Sequence, residues 1–366
     1  MSDNRRVYRT IRMAIQQLYP RQLSGQGMRM LTTLAALVSG IVQGKSCQLP
    51  TIARKAPDRA MAESRVKRYT RWIQNERVDY ESYYLPFVHQ LLVHLASIRE
   101  LVFVIDGSEV GHACITLMIS LIYGHRAIPI TWLVVKGRKG HLSENLHLEL
   151  LSQLQAILPA NAQAIFLGDG EFDGIELQMA LQALNLHYVC RTAKNTQLFE
   201  DDLLFSFTDL CLSPGDQLSI PNVWFTHEGY GPVMVIARWQ RGYSDPLFLV
   251  TNFDLPDEAL HWYHKRFQIE TFFSDEKSRG FYLDKSHLAD PERLSTLMIA
   301  ACLAYLWIIH LGLVALRKDW VKVIHRGDRC DWSVFHLGLA LLDHLLNEEL
   351  PIPVSFSHVE IKSVRY

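Results

Sequence analysis

Between Leu294 and Leu316 the chain runs for 23 residues without a formal charge. Such a stretch has two fates: it spans a bilayer, or it forms a helix buried on every side within a large core. His310, Ser295 and Thr296 dilute the segment, which favours the buried helix and a chain with no membrane partner. The other long apolar run, Leu31 to Val42, is too short to cross. With 366 residues, 49% of them hydrophobic, the chain has ample material for the core this helix needs, and its length predicts two or three domains.

Residues 1–98 read as helical: RRVYRTIRMAIQQL, MRMLTTLAALVSGIV, LPTIARKA, AESRVKRYTRWIQN and YESYYLPFVHQLLVHLASI follow in turn. The middle three have the pattern of a helix-turn-helix, in which a short helix and a polar turn precede a recognition helix. On that last helix Arg65, Arg68 and Trp72 share a face, and Lys67 and Arg71 add charge beside it. Residues 1–80 hold 15 Lys and Arg against 5 Asp and Glu, so a chain of net charge −1 divides into a segment of +10 and a remainder of −11. This split predicts a basic module that meets nucleic acid, joined to an acidic module that holds cations. The plainer alternative for the arginines is a solvated face, with Trp72 tucked into the core.

From residue 101 the pattern changes to strands. LVFVID, CITLMISLIY and AIPITWLVV suit an antiparallel meander. A helix starting at Ser143, a fourth strand AIFLGD, a helix GIELQMALQAL and a fifth strand HYVCRT come next. About 60 residues then precede the next helix, far more than an ordinary connection, and their Gly and Pro turns predict several short β-strands. Two apolar runs close on an acid, LVFVID on Asp106 and AIFLGD on Asp169, each delivering a carboxylate at a strand tip. Glu109, read as a loop residue, competes with the first; Glu171 and Asp173 compete with the second.

In HWYHKRFQIETFFSDEKSRG, a single helix would bring Tyr263, Arg266, Glu270 and Lys277 within about 60° of one another. Lys265, Gln268, Asp275 and Arg279 would then project to the opposite, solvent side, with Trp262, Ile269 and Phe273 walling the stripe on one flank and Phe267 on the other. Charged groups held between apolar walls need an ionic partner, and a nucleic-acid phosphate with bound metal ions would supply it. Arg266 and Glu270, spaced i and i+4, also fit an ordinary helix ion pair worth a few tenths of a kcal/mol. Hard divalent cations need several oxygen ligands, so a two-metal site at Glu270 would need both aspartates as well.

Tyr-x2-Arg-x3-Glu-x6-Lys, carried by Tyr263, Arg266, Glu270 and Lys277, resembles the signature of the IS4-type DDE transposases. The following GFYLDKSHLADPERLSTLMIAACLAYLW looks like that family too, with a short loop and then a long apolar helix. The order of strands and helices is that of a ribonuclease H-like α/β fold. The resemblance implies a helical DNA-binding domain over 1–98 and a ribonuclease H-like core in two parts, 99–194 and 256–316. A β-rich insertion would occupy 195–255, and a C-terminal helical region 317–366. It implies Asp106, Asp169 and Glu270 as catalytic residues and ligands of two Mg²⁺ (or Mn²⁺) ions, with Tyr263, Arg266 and Lys277 on DNA phosphates. Arg65, Arg68 and Arg71 would meet DNA from the N-terminal domain. Trp239, with Trp224 second, stands where relatives that pass through a DNA hairpin stack a flipped base. One departure is that Gly170 and Glu171 follow Asp169 where the family often has an arginine.

The implied function is binding of transposon terminal inverted repeats, cleavage of the ends and joining of the 3′-OH to target DNA, by a homodimer in the synaptic complex. A metal-dependent nuclease of the same fold and a domesticated DNA-binding protein are the alternatives. No G-x4-G-K-[ST] loop occurs, so no nucleotide cofactor is expected. Six scattered cysteines without a C-x2-C pair, and a polar, basic start, predict a bacterial cytoplasmic protein associated with the nucleoid when on DNA.

Overall fold

A computed structural model describes residues 2–19, 25–138, 140, 142–200, 203–277, 280–326 and 330–356; Arg279 and residues 357–366 of the C-terminal region lie outside the described residues. The N-terminal region is helical, with α1 (Asp3–Gln17), α2 (Gly25–Gly44), α3 (Leu49–Arg54), α4 (Ala62–Ile73), α5 (Tyr80–Tyr83) and α6 (Leu85–Ala96). On α1 the buried residues are Val7, Ile11, Ala14 and Ile15, the one-sided spacing of a helix lying on a core. From Leu34 to Val42, α2 is buried without interruption, because α1, α3 and a helix from the far end of the chain enclose it.

Among the described residues ten strands form one sheet: β1 (Leu101–Val110), β2 (Cys114–Tyr123), β3 (Arg126–Lys136), β4 (Ala164–Gly168), β5 (His187–Arg191), β6 (Gln197–Glu200), β7 (Leu203–Ser206), β8 (Gln217–Phe225), β9 (Tyr230–Arg238) and β10 (Leu247–Thr251). Their order is β3-β2-β1-β4-β5-β10-β9-β8-β6-β7. The first three form the antiparallel meander, and β4 and β5 run parallel to β1. Crossovers between these parallel strands use α7 (Glu144–Ile157), between β3 and β4, and α8 (Ile175–Ala183), between β4 and β5. The strands from 197 to 251 do not stand apart; they extend the same sheet beyond β5 through β10.

Then come α9 (Pro256–Tyr263), a 3-10 turn (His264–Phe267), α10 (Gln268–Glu276), α11 (Pro291–Arg317), α12 (Val321–Ile324) and α13 (Val334–Asn347). Thr131 bonds Gln153 of α7 while its neighbour Trp132 donates to Ser295 of α11. Successive residues of a strand point to opposite faces, so α7 and α11 cover opposite sides of the sheet. The charge-free segment is α11. It is long and apolar enough to cross a membrane, yet 89% of its apolar window is buried inside the protein, against β3, α2 and α13. Asp290 starts it, accepting a hydrogen bond from the Arg293 amide at 3.0 Å, with Pro291 in the first turn. Gly312 and Gly338 sit where α11 and α13 cross: a Cβ on either would strike backbone of the other helix.

The stripe segment departs from the single helix expected of it. The 3-10 turn at 264–267 divides it, and Phe267, expected to wall the stripe, is exposed. Asp275, expected in solvent, is buried on an Arg126 guanidinium at 3.0 Å. The burial of Asp275 arises because α10 lies between the sheet and α11, so the helix is buried on two sides where periodicity alone assigns one.

Glu276, wholly enclosed beside Asp275, has neither carboxylate oxygen hydrogen-bonded among the described residues. Burial, with Asp275 next to it, holds its carboxyl well above the ordinary range, because the enclosed site disfavours the ionised form. An unfolded chain ionises Glu276 above about pH 4.3, so the penalty for burying it exists above that pH and disappears below it. Glu276→Met is therefore expected to stabilise the protein by about 1–3 kcal/mol at pH 8, with the gain fading as pH falls through the carboxyl range. Thermal melts across pH test this; a gain independent of pH would mean that the benefit is packing alone.

Candidate active site

Asp106 does not end its strand: β1 continues to Val110, paired with β2 throughout. It lies just past the point where β4 stops. The parallel register pairs Val102 with Ile165 and Val104 with Leu167, so the next residues on that face are Asp106 and Asp169. On the other side of β4, Gly168 pairs with Cys190, which puts Arg191 in register with Asp169. Parallel neighbours lie about 4.8 Å apart, so three adjacent strands present carboxylate, carboxylate and guanidinium in a row.

Each acid is held locally. Asp106 accepts from the Gly107 amide at 2.7 Å, and Asp169 from the Glu171 amide at 3.0 Å in a tight turn. Of the competing acids, Glu171 is engaged with the Leu142 amide and Asp173 lies beside Thr192. Glu109 is a strand residue rather than a loop residue, on the face of β1 opposite to Asp106.

The helical segment closes the site. Arg266 is buried and bridges two acids, with Nη2 at 3.0 Å from Glu270 Oε1 and Nη1 at 3.9 Å from Asp106 Oδ2. Glu270 itself stays 52% exposed, facing an open groove of about 310 Å³ lined also by Asp106, Asp169, Arg266, Leu142 and Phe273. Tyr263 is buried, and burial pushes its phenol up to about 12 even with Arg266 and Arg191 close by. Lys277 caps the end of α10 and lies outside that groove, against Glu276, Phe273 and Met298.

Burial, and then the neighbouring Asp169, push Asp106 up to about 6. Crowded oxygen donors of this kind gain from a hard cation. Among the described residues no three acidic, His or Cys side chains are already close enough to hold one ion together, since Glu270 is drawn onto Arg266. The set fits divalent cations in donor type and charge.

A second groove, of about 710 Å³, runs from Asp169 and Arg266 past Arg191 and Lys194 to Trp239. Trp239 is half-buried, its indole N–H donating to the Tyr243 carbonyl at 3.0 Å; Trp224 is exposed on β8 and does not line this groove. Arg191 and Lys194 were not singled out from the sequence. Their signal was present: a basic pair, Arg-x2-Lys, directly after a strand parallel to the two that carry aspartates.

Residues 99–307 match the family described as Transposase DDE domain. The chain belongs to that family. The matched segment contains Asp106, Asp169, Glu270 and both grooves. Among solved structures, a piggyBac transposase synaptic complex with hairpin DNA is 10% identical, covering 94% of this chain and 78% of that one, with a TM-score of 0.45. Human endonuclease V is 16% identical over 55% of this chain and 82% of its own, TM-score 0.25. Its catalytic domain is 15% identical over 71% and 98%, TM-score 0.28. No curated protein matches.

In the N-terminal region of this DDE-family chain the predicted basic helix is α4, but its arginines differ in role. Arg65 and Arg68 converge on Asp58 at 2.8 and 2.7 Å, and Arg65 also donates to the Ala53 carbonyl. Trp72 is core, its indole N–H on the Met30 carbonyl. Arg71 is exposed and lines a groove of about 850 Å³ with Arg5, Arg9, Arg29 and Arg68, against one carboxylate, Asp58. The sequence placed basic charge in the first 80 residues but assigned it to one helix; tertiary packing gathers it from α1, α2 and α4.

Proposed function

We propose that the chain is an IS4-type DNA transposase that binds terminal inverted repeats, cleaves the transposon ends and joins the 3′-OH to target DNA. The observation that carries this reading is the register that aligns Asp106 with Asp169, with Glu270 brought to them across Arg266, inside a DDE-family segment. The order β3-β2-β1-β4-β5 with an antiparallel meander leading two parallel strands supports a ribonuclease H-like core.

Asp106, Asp169 and Glu270 would hold two Mg²⁺ or Mn²⁺ ions, which when bound supply an acidified nucleophile and charge stabilisation at the leaving oxygen. Arg266 holds Glu270 and lies beside Asp106 before the site is loaded, and would then become available to the phosphate of the cleaved end, where a guanidinium can bind two oxygens at once. Arg191 and Lys194 extend that phosphate track away from Asp169; Tyr263, buried beside Arg266, would act on the phosphate through that guanidinium, and Lys277 stands outside the two grooves at the end of α10. Arg71 and Arg68, with Arg65 and Asp58 fixing their helix, contribute backbone contacts from the N-terminal groove. Handling two ends together requires two sites, hence a homodimer on DNA.

Purified protein, Mg²⁺, a labelled terminal-repeat duplex and a supercoiled plasmid test the reading. Joined products that disappear with Glu270→Ala support it; ends without joints identify a nuclease, and binding alone a DNA-binding protein. Trp239→Ala is expected to reduce hairpin formation roughly tenfold to a hundredfold while leaving the first nick intact, since stacking one base contributes about 1–3 kcal/mol. Unchanged hairpin yield would remove Trp239 from base stacking.

A further inference from the structure

Glu270 has to be placed accurately, yet little holds it directly. Its side chain is half exposed and its hydrogen-bond partner is Arg266, which sits on the tighter turn preceding α10. The helix that carries it has nine residues and packs through Ile269, Phe272 and Phe273. Apolar contacts of this kind are non-directional and by themselves permit a short helix to roll. A carboxylate stands about 5–6 Å from a helix axis, so a roll of only 20° moves it by about 2 Å. Active groups need to be held within about 0.5 Å.

A directional contact opposes that roll. Arg126, the first residue of β3, and Asp275, five residues after Glu270, form an ion pair at 3.0 Å with side chains 11% and 4% exposed. The pair connects α10 to β3, which is joined through β2 to β1, the strand of Asp106. The Asp275 carbonyl accepts from the Phe281 amide at 3.2 Å, and Phe272 packs edge-on against Tyr305, whose hydroxyl donates to the Ala127 carbonyl next to Arg126. A buried ion pair gives little or no net stability over an apolar pair of the same volume; what it adds is direction.

We propose that Arg126 and Asp275 are positioning residues, a buried clamp that sets the rotation of α10 and so the reach of Glu270 toward Asp106 and Asp169. This rests on the active-site reading above.

The test compares the full-length wild type, the double variant Arg126→Met with Asp275→Leu, and the conservative Arg126→Lys. Three quantities are measured: thermal stability in EDTA, Mn²⁺ binding by electron paramagnetic resonance, and the Mn²⁺ concentration for half-maximal end cleavage. The double variant is expected to melt near the wild type but to bind Mn²⁺ about 10- to 100-fold more weakly, the range typical for loss of a group that orients a ligand. Its cleavage midpoint should rise in parallel, and Arg126→Lys should fall between the two. A double variant that folds and keeps wild-type Mn²⁺ binding overturns the clamp. If the double variant fails to fold, Arg126→Lys decides: a melting temperature lowered with unchanged Mn²⁺ binding assigns the pair to stability alone. A wild type that neither binds Mn²⁺ at Asp106, Asp169 and Glu270 nor cuts DNA overturns the active-site reading itself, and the clamp with it.

Discussion

Glu270→Ala, like Asp106→Ala and Asp169→Ala, is expected to lower end cleavage by about a thousandfold or more while terminal-repeat binding changes little. Metal-held charge at a reacting phosphate contributes several kcal/mol of transition-state stabilisation, and each 1.36 kcal/mol is a factor of ten. Binding should survive because the N-terminal groove lies on α1, α2 and α4, elements that carry none of the three acids. The variants should nonetheless differ in stability. Asp106 is mostly buried and held at about 6, so above that pH the metal-free fold carries an ionised group in an unfavourable place; Asp106→Ala relieves this. Glu270, half exposed, offers no such relief. Cleavage rates and melting curves in EDTA check both parts, and loss of DNA binding in all three variants would point to misfolding instead of lost chemistry.

Arg266→Ala is expected to be the most destabilising change in the site when no divalent ion is present. Its guanidinium bonds Glu270, lies 3.9 Å from Asp106, and is close enough to Asp169 to be influenced by it. Removing one partner of a buried pair costs about 3–5 kcal/mol; exposure of Glu270 lowers the expectation to roughly 2–4 kcal/mol. The sign with pH follows from Asp106. Below about pH 6 it takes up a proton and the repulsion falls, so the defect should be large at pH 8 and small at pH 5. Mg²⁺ or Mn²⁺ should restore much of the lost stability, because the cation replaces the missing guanidinium. Engagement of the cleaved DNA end should not recover with it. Equal destabilisation with and without divalent ions would reduce Arg266 to an ordinary structural arginine.

Much of the site could be read along the chain because its parts are local. Five apolar residues ahead of Asp106 and a similar run ahead of Asp169 identify strands, since a strand covered on both faces needs apolar side chains on both. The spacing from Tyr263 to Glu270 could be read as well, but the 3-10 turn between them could not, because its φ and ψ differ only slightly from those of an α-helix. Asp275 shows where periodicity fails. On a helix with a single buried face it would belong in water, and only the approach of β3 and α11 from two sides buries it.

The sequence by itself determined that the apolar runs ahead of Asp106 and Asp169 are strands, where most of the helices lie, and that the charge-free run would be costly to expose to water. These follow from hydrophobic periodicity and from residue chemistry within a few positions. Tertiary structure alone decided that Asp106, Asp169 and Arg191 fall in one row, that Arg266 joins Glu270 to Asp106, and that Arg126 reaches Asp275 across 149 positions. It also decided that Arg65 and Arg68 converge on Asp58 while Arg71 faces a groove assembled from three helices. Those outcomes depend on strand register and helix packing, in which the partners are distant in the chain and the choice among alternatives is made by burial of the whole core.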